Sequence, residues 1–173
     1  MRIRTAIAAD IERITDVMRE SLRALGANYY DERQVESAVR FIAVADPQLI
    51  DDGTYFVVED DSHIIACGGW SHRAKLFTGT GSNDSRALDP QREPARVRAM
   101  FVLPTHARRG AGRMILDASE EAARAMHFRK VELMATLPGE PLYAARGYAV
   151  TERVEITLPD GVLLLCAKME KTL

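Results

Sequence analysis

Between Ala95 and Met126 the chain reads ARVRAMFVLPTHARRGAGRMILDASEEAARAM. A β-rich apolar run meets a proline, then a basic turn with two glycines, then a long helical pattern. A strand that passes through so short a turn into a helix must pack that helix back on its own sheet, which points to an α/β layered domain. The helix carries Ile115, Ala118, Ala122 and Met126 at spacings near four, the expected buried stripe. Its first N–H groups lack intrahelical partners and make a ready anion site. Gly110 and Gly112 let the backbone approach a ligand closely. Arg108, Arg109 and Arg113 add charge-assisted hydrogen bonds suited to phosphate oxygens. Two readings of these residues stay open: a phosphate cradle, or a plain helix start with exposed arginines. Walker A fails, because no Lys-Ser/Thr pair follows the glycines. The GxGxxG fingerprint is broken by Met114 and Ile115.

The flanking patterns complete the architecture. Arg2–Ala6 reads as a first strand. Ile11, Ile14, Met18, Leu22 and Leu25 form one helical stripe ended by Gly26. Asp31 with Gln34 gives a capping box for a second helix lined by Val35, Val39 and Ile42, which stops before Pro47. Thr54–Asp60 and His63–Trp70 are β-rich runs joined by a tight turn. A polar stretch follows, in which Gly79 and Gly81 lack a strand-to-helix context and read as loop. Lys130–Ala135, a short helix ended by Gly147, Tyr148–Leu158 and Val162–Glu170 close the chain. The expected order is β-α-α-β-β-β-α-β-α-β-β, a mixed α/β sheet in a single domain over residues 1–173, with no internal repeat.

Composition narrows the function classes. Net charge is −2, with 23 basic against 25 acidic residues. A general nucleic-acid binder needs a basic surplus, so that class is disfavoured. Cys67 and Cys166 sit in apolar runs without CxxC or Cys/His spacing, so no metal site is expected. No apolar run approaches the ~18 residues of a membrane span, and the N-terminus lacks a signal core, so a cytoplasmic protein is expected.

MFVLPTHARRGAGRMIL resembles the acyl-coenzyme A loop of the GNAT superfamily of N-acetyltransferases. LYAARGY (Leu142–Tyr148) is similar to that superfamily's recurrent Tyr, three residues, Gly, aromatic pattern. The element order matches too, so the resemblance spans nearly the whole chain. GGW, RVRAMFVLP and the terminal LLCAKMEK look like one common bacterial branch. One departure is that Ala107 stands where the loop pattern usually has Gln or Arg, with Arg108 one residue out of register.

The resemblance implies a mostly antiparallel sheet of about seven strands flanked by about four helices. It implies acetyl-CoA as cosubstrate, with pantetheine between the Ala95–Leu103 and Lys130–Ala135 strands. The backbone of Met100, Phe101 and Val102 would pair with the pantetheine amides, and Arg108, Arg109, Gly110, Ala111, Gly112 and Arg113 would hold the pyrophosphate. Tyr143 takes the position of the general acid that protonates the departing thiolate. The general base is not identified: His72, Glu93 and Glu132 are the residues to weigh, with His106 a phosphate-side or exposed residue. Tyr29 and Tyr30 either line the acceptor pocket or staple the second helix. The expected partners are a small-molecule or peptide amine, with a homodimer left open and neither nucleic acid nor membrane. The alternative from another class is a non-catalytic acyl-CoA sensor of the same fold.

Overall fold

The computed structural model describes residues 1–77 and 85–173 of the chain. Gly79 and Gly81 lie outside the described residues. Seven strands form one sheet: β1 (Arg2–Thr5), β2 (Tyr55–Asp60), β3 (His63–Ser71), β4 (Ala95–Val102), β5 (Lys130–Thr136), β6 (Ala149–Thr157) and β7 (Leu163–Thr172), in spatial order β1-β2-β3-β4-β5-β7-β6. Every neighbouring pair is antiparallel except β4 and β5. The helices are α1 (Ile11–Gly26), α2 (Glu32–Phe41), α3 (Pro47–Asp51), α4 (Ala111–Ala125) and α5 (Glu140–Ala145). The short α3 was not expected from sequence. It is a single turn too brief to show a period, started by Asp46, whose carboxylate accepts from the Gln48 N–H, and by Pro47 at its first position.

Local chemistry sets most of the element ends. Asp31 and Gln34 form the expected reciprocal cap of α2, at 2.8 and 3.1 Å. The β2–β3 turn places both Asp61 and Ser62 at positive φ, as a tight two-residue hairpin with right-twisted strands requires. One expected stripe is misplaced. Met126 is exposed, Ala118 and Ala122 are only half-buried, and the buried face of α4 instead runs through Ala111, Gly112, Ile115, Leu116, Ser119, Glu120 and Ala123. Ser119 bonds back to the Ile115 carbonyl at 2.8 Å. Glu120 is buried because partners from β7 and the α5–β6 turn meet it. A hydrophobic count cannot see a stripe that contains serine and glutamate.

The feature that positions everything else is in the middle of β4. Arg98 pairs with Gly69, but Phe101 pairs with Cys67, so β4 spends three steps where β3 spends two. That is a β-bulge, and Ala99 takes it up at φ +52°. The fully buried Tyr55 donates its hydroxyl hydrogen bond to the Ala99 carbonyl at 2.7 Å. Gly68 lies opposite, where an added Cβ would stand 2.7 Å from Met100 Cγ and 3.0 Å from Met100 Cα. Gly68→Ala is therefore expected to overpack the bulge and cost about 2 kcal/mol. A urea midpoint unchanged from wild type would show that the bulge tolerates the methyl group.

Candidate active site

β4 and β5 pair only at Ala95↔Val131 and Arg96↔Glu132, then diverge. At the closed end Glu132 is buried with Arg96, and Lys168 stands 2.9 Å away on the other side. Past that point β5 continues along β7, while β4 bends away at its bulge. The gap forms a cleft of about 80 Å³, lined by Val97 to Phe101 of β4, Met134 and Thr136 of β5, Gly139 and Tyr143, with Ile42, Leu76 and Phe77 closing one side. The cleft is apolar apart from Arg98, Thr136 and the Tyr143 hydroxyl.

Beyond the end of β4, a 3-10 turn at Pro104–His106 leads into the basic turn and α4. Arg108 (φ +60°) and Gly110 (φ +94°) both sit in the left-handed region, which reverses the chain so that α4 starts beside the strand's end. A Cβ on Gly110 would meet nothing within 4 Å, so its conformation is what calls for glycine there. Gly112 differs. It is buried, and a Cβ would stand 3.0 Å from Leu142 and 3.4 Å from Val102. Arg108, Arg109 and Arg113 are exposed around the turn, with Arg113 3.3 Å from Asp117. The first intrahelical bond is Met114 N–H to Gly110 carbonyl at 3.0 Å, and no side chain caps the start. The N–H groups of Ala111, Gly112 and Arg113 thus lack an intrahelical acceptor.

Tyr143 lies on α5 with only 8% of its surface exposed, and it faces the cleft. Burial alone pushes its hydroxyl well above the usual phenol range, so it stays protonated at neutral pH. Tyr148 packs edge-on against it, ring centroids 5.7 Å apart. Tyr148 in turn donates to Glu120 at 3.1 Å. Lys171 binds both Glu120 oxygens at 2.8 and 2.7 Å, with Arg124 3.4 Å away. The tyrosine pair therefore stands on a buried carboxylate held by two cations.

The residues weighed as bases have other occupations. Glu93 accepts from Arg86 at 2.8 and 2.9 Å and from the Asp89 N–H, and these bonds pull its pKa down to about 2. Glu132 belongs to the ion pairs at the closed end of the cleft. His72 packs edge-on to Trp70, with its Nδ1 buried and without a hydrogen-bond partner among the described residues. None of the three lines the cleft. His106 lies 3.8 Å from Asp60. On the acceptor side, Tyr30 donates to the Leu165 carbonyl and accepts from the Leu137 N–H, both at 2.8 Å, which makes it a clasp between the α1–α2 connection, β7 and the end of β5. Tyr29 is exposed, and neither tyrosine lines the cleft. Sequence reasoning passed over Arg98, a charge inside an apolar strand; its alternation with Arg96 was the available signal.

A family model for the acetyltransferase (GNAT) family matches residues 14–148. The chain belongs to that family. The GNAT fold extends over the whole chain in solved structures. A GCN5-related N-acetyltransferase from Rhodopseudomonas palustris superposes with TM-score 0.78 at 19% identity, covering 99% of this chain and 95% of that one. The PaiA N-acetyltransferase from Thermoplasma acidophilum, solved with coenzyme A, gives 0.69 at 17% identity over 99% and 98%. A putative acetyltransferase, yncA, from Salmonella typhimurium, solved with acetyl-CoA, gives 0.65 at 17% identity over 99% and 93%. No curated protein sequence matches the chain. No helix among the described residues is long and apolar enough to cross a membrane.

The buried carboxylate of this GNAT domain makes a clear prediction. Lys171→Met removes the closest cation from Glu120 and leaves the charge in an apolar setting. Breaking such pairs costs about 3–5 kcal/mol, and the remaining Arg124 puts this case near 3. Thermal unfolding of the variant checks it; an unchanged midpoint would mean that Arg124 alone satisfies the carboxylate.

Proposed function

We propose that this GNAT acetyltransferase moves the acetyl group of acetyl-CoA to a primary amine by direct attack within a ternary complex. The observation that carries the reading is the cleft between diverging β4 and β5, with a protonated, buried Tyr143 on its wall and an uncapped helix start just past the end of β4. The solved relatives with coenzyme A or acetyl-CoA support the same cosubstrate here. In this reading the pantetheine arm lies in the cleft, and its amides pair with the β4 backbone at Met100, Phe101 and Val102, supplying the strand that β5 vacates. The pyrophosphate rests on the N–H groups of Ala111, Gly112 and Arg113, with Arg108 and Arg109 adding charge. Ala107 contributes only backbone, so the turn depends on amides more than on side chains. The two free cysteines, both buried, agree with a reducing cytoplasm.

The reaction follows from those positions. A neutral amine attacks the thioester carbonyl, the tetrahedral oxyanion is met by a backbone N–H of β4, and the C–S bond breaks. Tyr143 donates its proton to the departing thiolate. The proton lost by the nitrogen leaves through water and returns to the tyrosinate. No carboxylate or imidazole lines the cleft among the described residues, so the amine is deprotonated by water or reaches the site already neutral. The same lack of a base favours a second reading, an acyl-CoA sensor without turnover. Thiol release from acetyl-CoA across a panel of amines, run beside calorimetric CoA titration, separates the two.

Tyr143→Phe keeps the ring that Tyr148 packs against. General-acid groups contribute roughly 10²–10⁴-fold, and an acid as weak as a buried phenol belongs at the low end. kcat should fall about 10²-fold with KM for acetyl-CoA nearly constant. A rise in KM at constant kcat would make Tyr143 a binding residue instead. Replacing Arg108 and Arg109 together by Ala, both exposed, should weaken coenzyme A by about 10-fold while leaving pantetheine unchanged. Equal losses for the two ligands would remove the phosphate role.

A further inference from the structure

The cleft wall carries a second hydroxyl besides that of Tyr143. Thr136 is the last residue of β5, half-buried, and it lines the cleft two residues on from Met134, on the same face of the strand. A threonine at the start of a helical turn ordinarily caps it. Thr136 stands at the cap position of the 3-10 turn Leu137–Gly139 and makes no capping bond. The turn offers it little to cap. The Leu137 N–H goes to the Tyr30 hydroxyl at 2.8 Å, and Pro138 has no N–H. Thr136 Oγ1 has no other hydrogen-bond partner among the described residues. A hydroxyl drawn out of bulk water without a partner is costly, so one in a cleft wall is matched by what fills the cleft.

Gly139 ties this hydroxyl to Tyr143. A Cβ there would stand 3.2 Å from Tyr143 Cε2, the ring carbon beside the one that bears the hydroxyl, and 3.9 Å from Thr136 Oγ1. The two residues therefore flank one small space that the glycine leaves open. In the transfer reading Tyr143 needs a proton back after each turnover. No carboxylate or imidazole lines the cleft among the described residues to collect one from the amine. A neutral hydroxyl can do both halves of that task, because it accepts through a lone pair and donates its own hydrogen without ionising. We propose that Thr136 is a catalytic residue of acetyl transfer: its Oγ1 accepts a hydrogen bond from the attacking amine and passes the proton on, through water, to Tyr143. As the C–N bond forms and the C–S bond breaks, the Tyr143 proton goes to sulfur. The amine proton goes to Thr136 Oγ1, the Thr136 hydrogen to the water, and a hydrogen of that water to the tyrosinate. Both hydroxyls end as they began, and the products are the amide and the free thiol. The proposal rests on the acetyl-transfer reading, for which it supplies the route of the amine proton.

The test uses the full chain with acetyl-CoA and the best acceptor from the amine panel. Thr136→Val exchanges the hydroxyl for a methyl group of similar size. kcat is expected to fall about 10-fold, with KM for acetyl-CoA moved by less than about 2-fold. Thr136→Ser, which keeps a hydroxyl, should restore most of the rate. In the Tyr143→Phe background Thr136→Val should cost less than about 2-fold, because both groups serve one proton path. An unchanged kcat in Thr136→Val would overturn the proposal and leave acetyl transfer standing. So would the same fold loss in both backgrounds, which would take Thr136 off the path to Tyr143. A rise in KM for acetyl-CoA at constant kcat would also overturn it and make Thr136 a cofactor contact. If the wild type releases no thiol with any amine, the transfer reading fails and the relay fails with it.

Discussion

The bulge at Ala99 is the constraint on which the rest of the molecule turns. A non-glycine residue in the left-handed region costs roughly 1–2 kcal/mol, and it persists only where the surroundings insist on it. Here they do so from two sides. Tyr55 fastens the Ala99 carbonyl from β2, and Gly68 gives Met100 room that any side chain would deny. The extra residue turns β4 out of line with β5 after only two paired residues. Had β4 stayed regular, its parallel ladder with β5 would have continued and no cleft would exist. One strained alanine thus leaves the edge of β4 unpaired beyond Arg96.

The placement of charge follows from that opening. Where the strands still touch, the buried Glu132 pairs with Arg96 and with the partly exposed Lys168. Such pairing adds little stability over an apolar isostere, but it fixes register because only one alignment pairs every member. On the open side the cleft wall is apolar apart from Arg98, Thr136 and the Tyr143 hydroxyl, and Glu93 and Glu132 are absorbed in ion pairs. Desolvation raises the Tyr143 pKa with no charged partner to offset it. Among the described residues the cleft holds one protonated phenol and no carboxylate, a simple protonation state across neutral pH.

Legibility of the fold in the sequence followed the strength of the periods. Strands with β-branched runs, capped helices and the Asp61–Ser62 turn were readable because each rests on local chemistry. The short α3 and the true buried face of α4 were not. The first is a single turn, and the second is set by Lys171 and Tyr148, residues distant in sequence that make a buried Glu120 tolerable. The candidate site divides the same way. The glycine-arginine turn and Tyr143 stand in contiguous motifs and were visible at once. Ala99 carries no signal, since nothing in RVRAMFV marks which residue will be extruded. Tyr30 reads in sequence as either a pocket residue or a staple of the second helix, and its hydroxyl joins two backbones 28 residues apart, at Leu137 and Leu165.

How the two halves of the site stay in register is a question of α4. Three positions on one side of that helix meet the α5 segment. Gly112 lies against Leu142, Asp117 pairs with Arg146, and Glu120 accepts from Tyr148. They are not equal. Asp117 and Arg146 are both partly open to solvent, so their pair contributes at most about 1 kcal/mol. Glu120 is buried and cannot be left unmatched, and Gly112 leaves no room for a larger residue without moving Leu142. The absolute fit therefore comes from a packing contact at the start of the helix and a buried hydrogen bond from Tyr148 to the Glu120 carboxylate two turns on. Tyr143 follows Leu142 directly in the chain, so the glycine that lets α4 begin so close to β4 also sets how far the tyrosine stands from the turn. Turn and tyrosine are positioned by one rigid helix rather than by two independent loops.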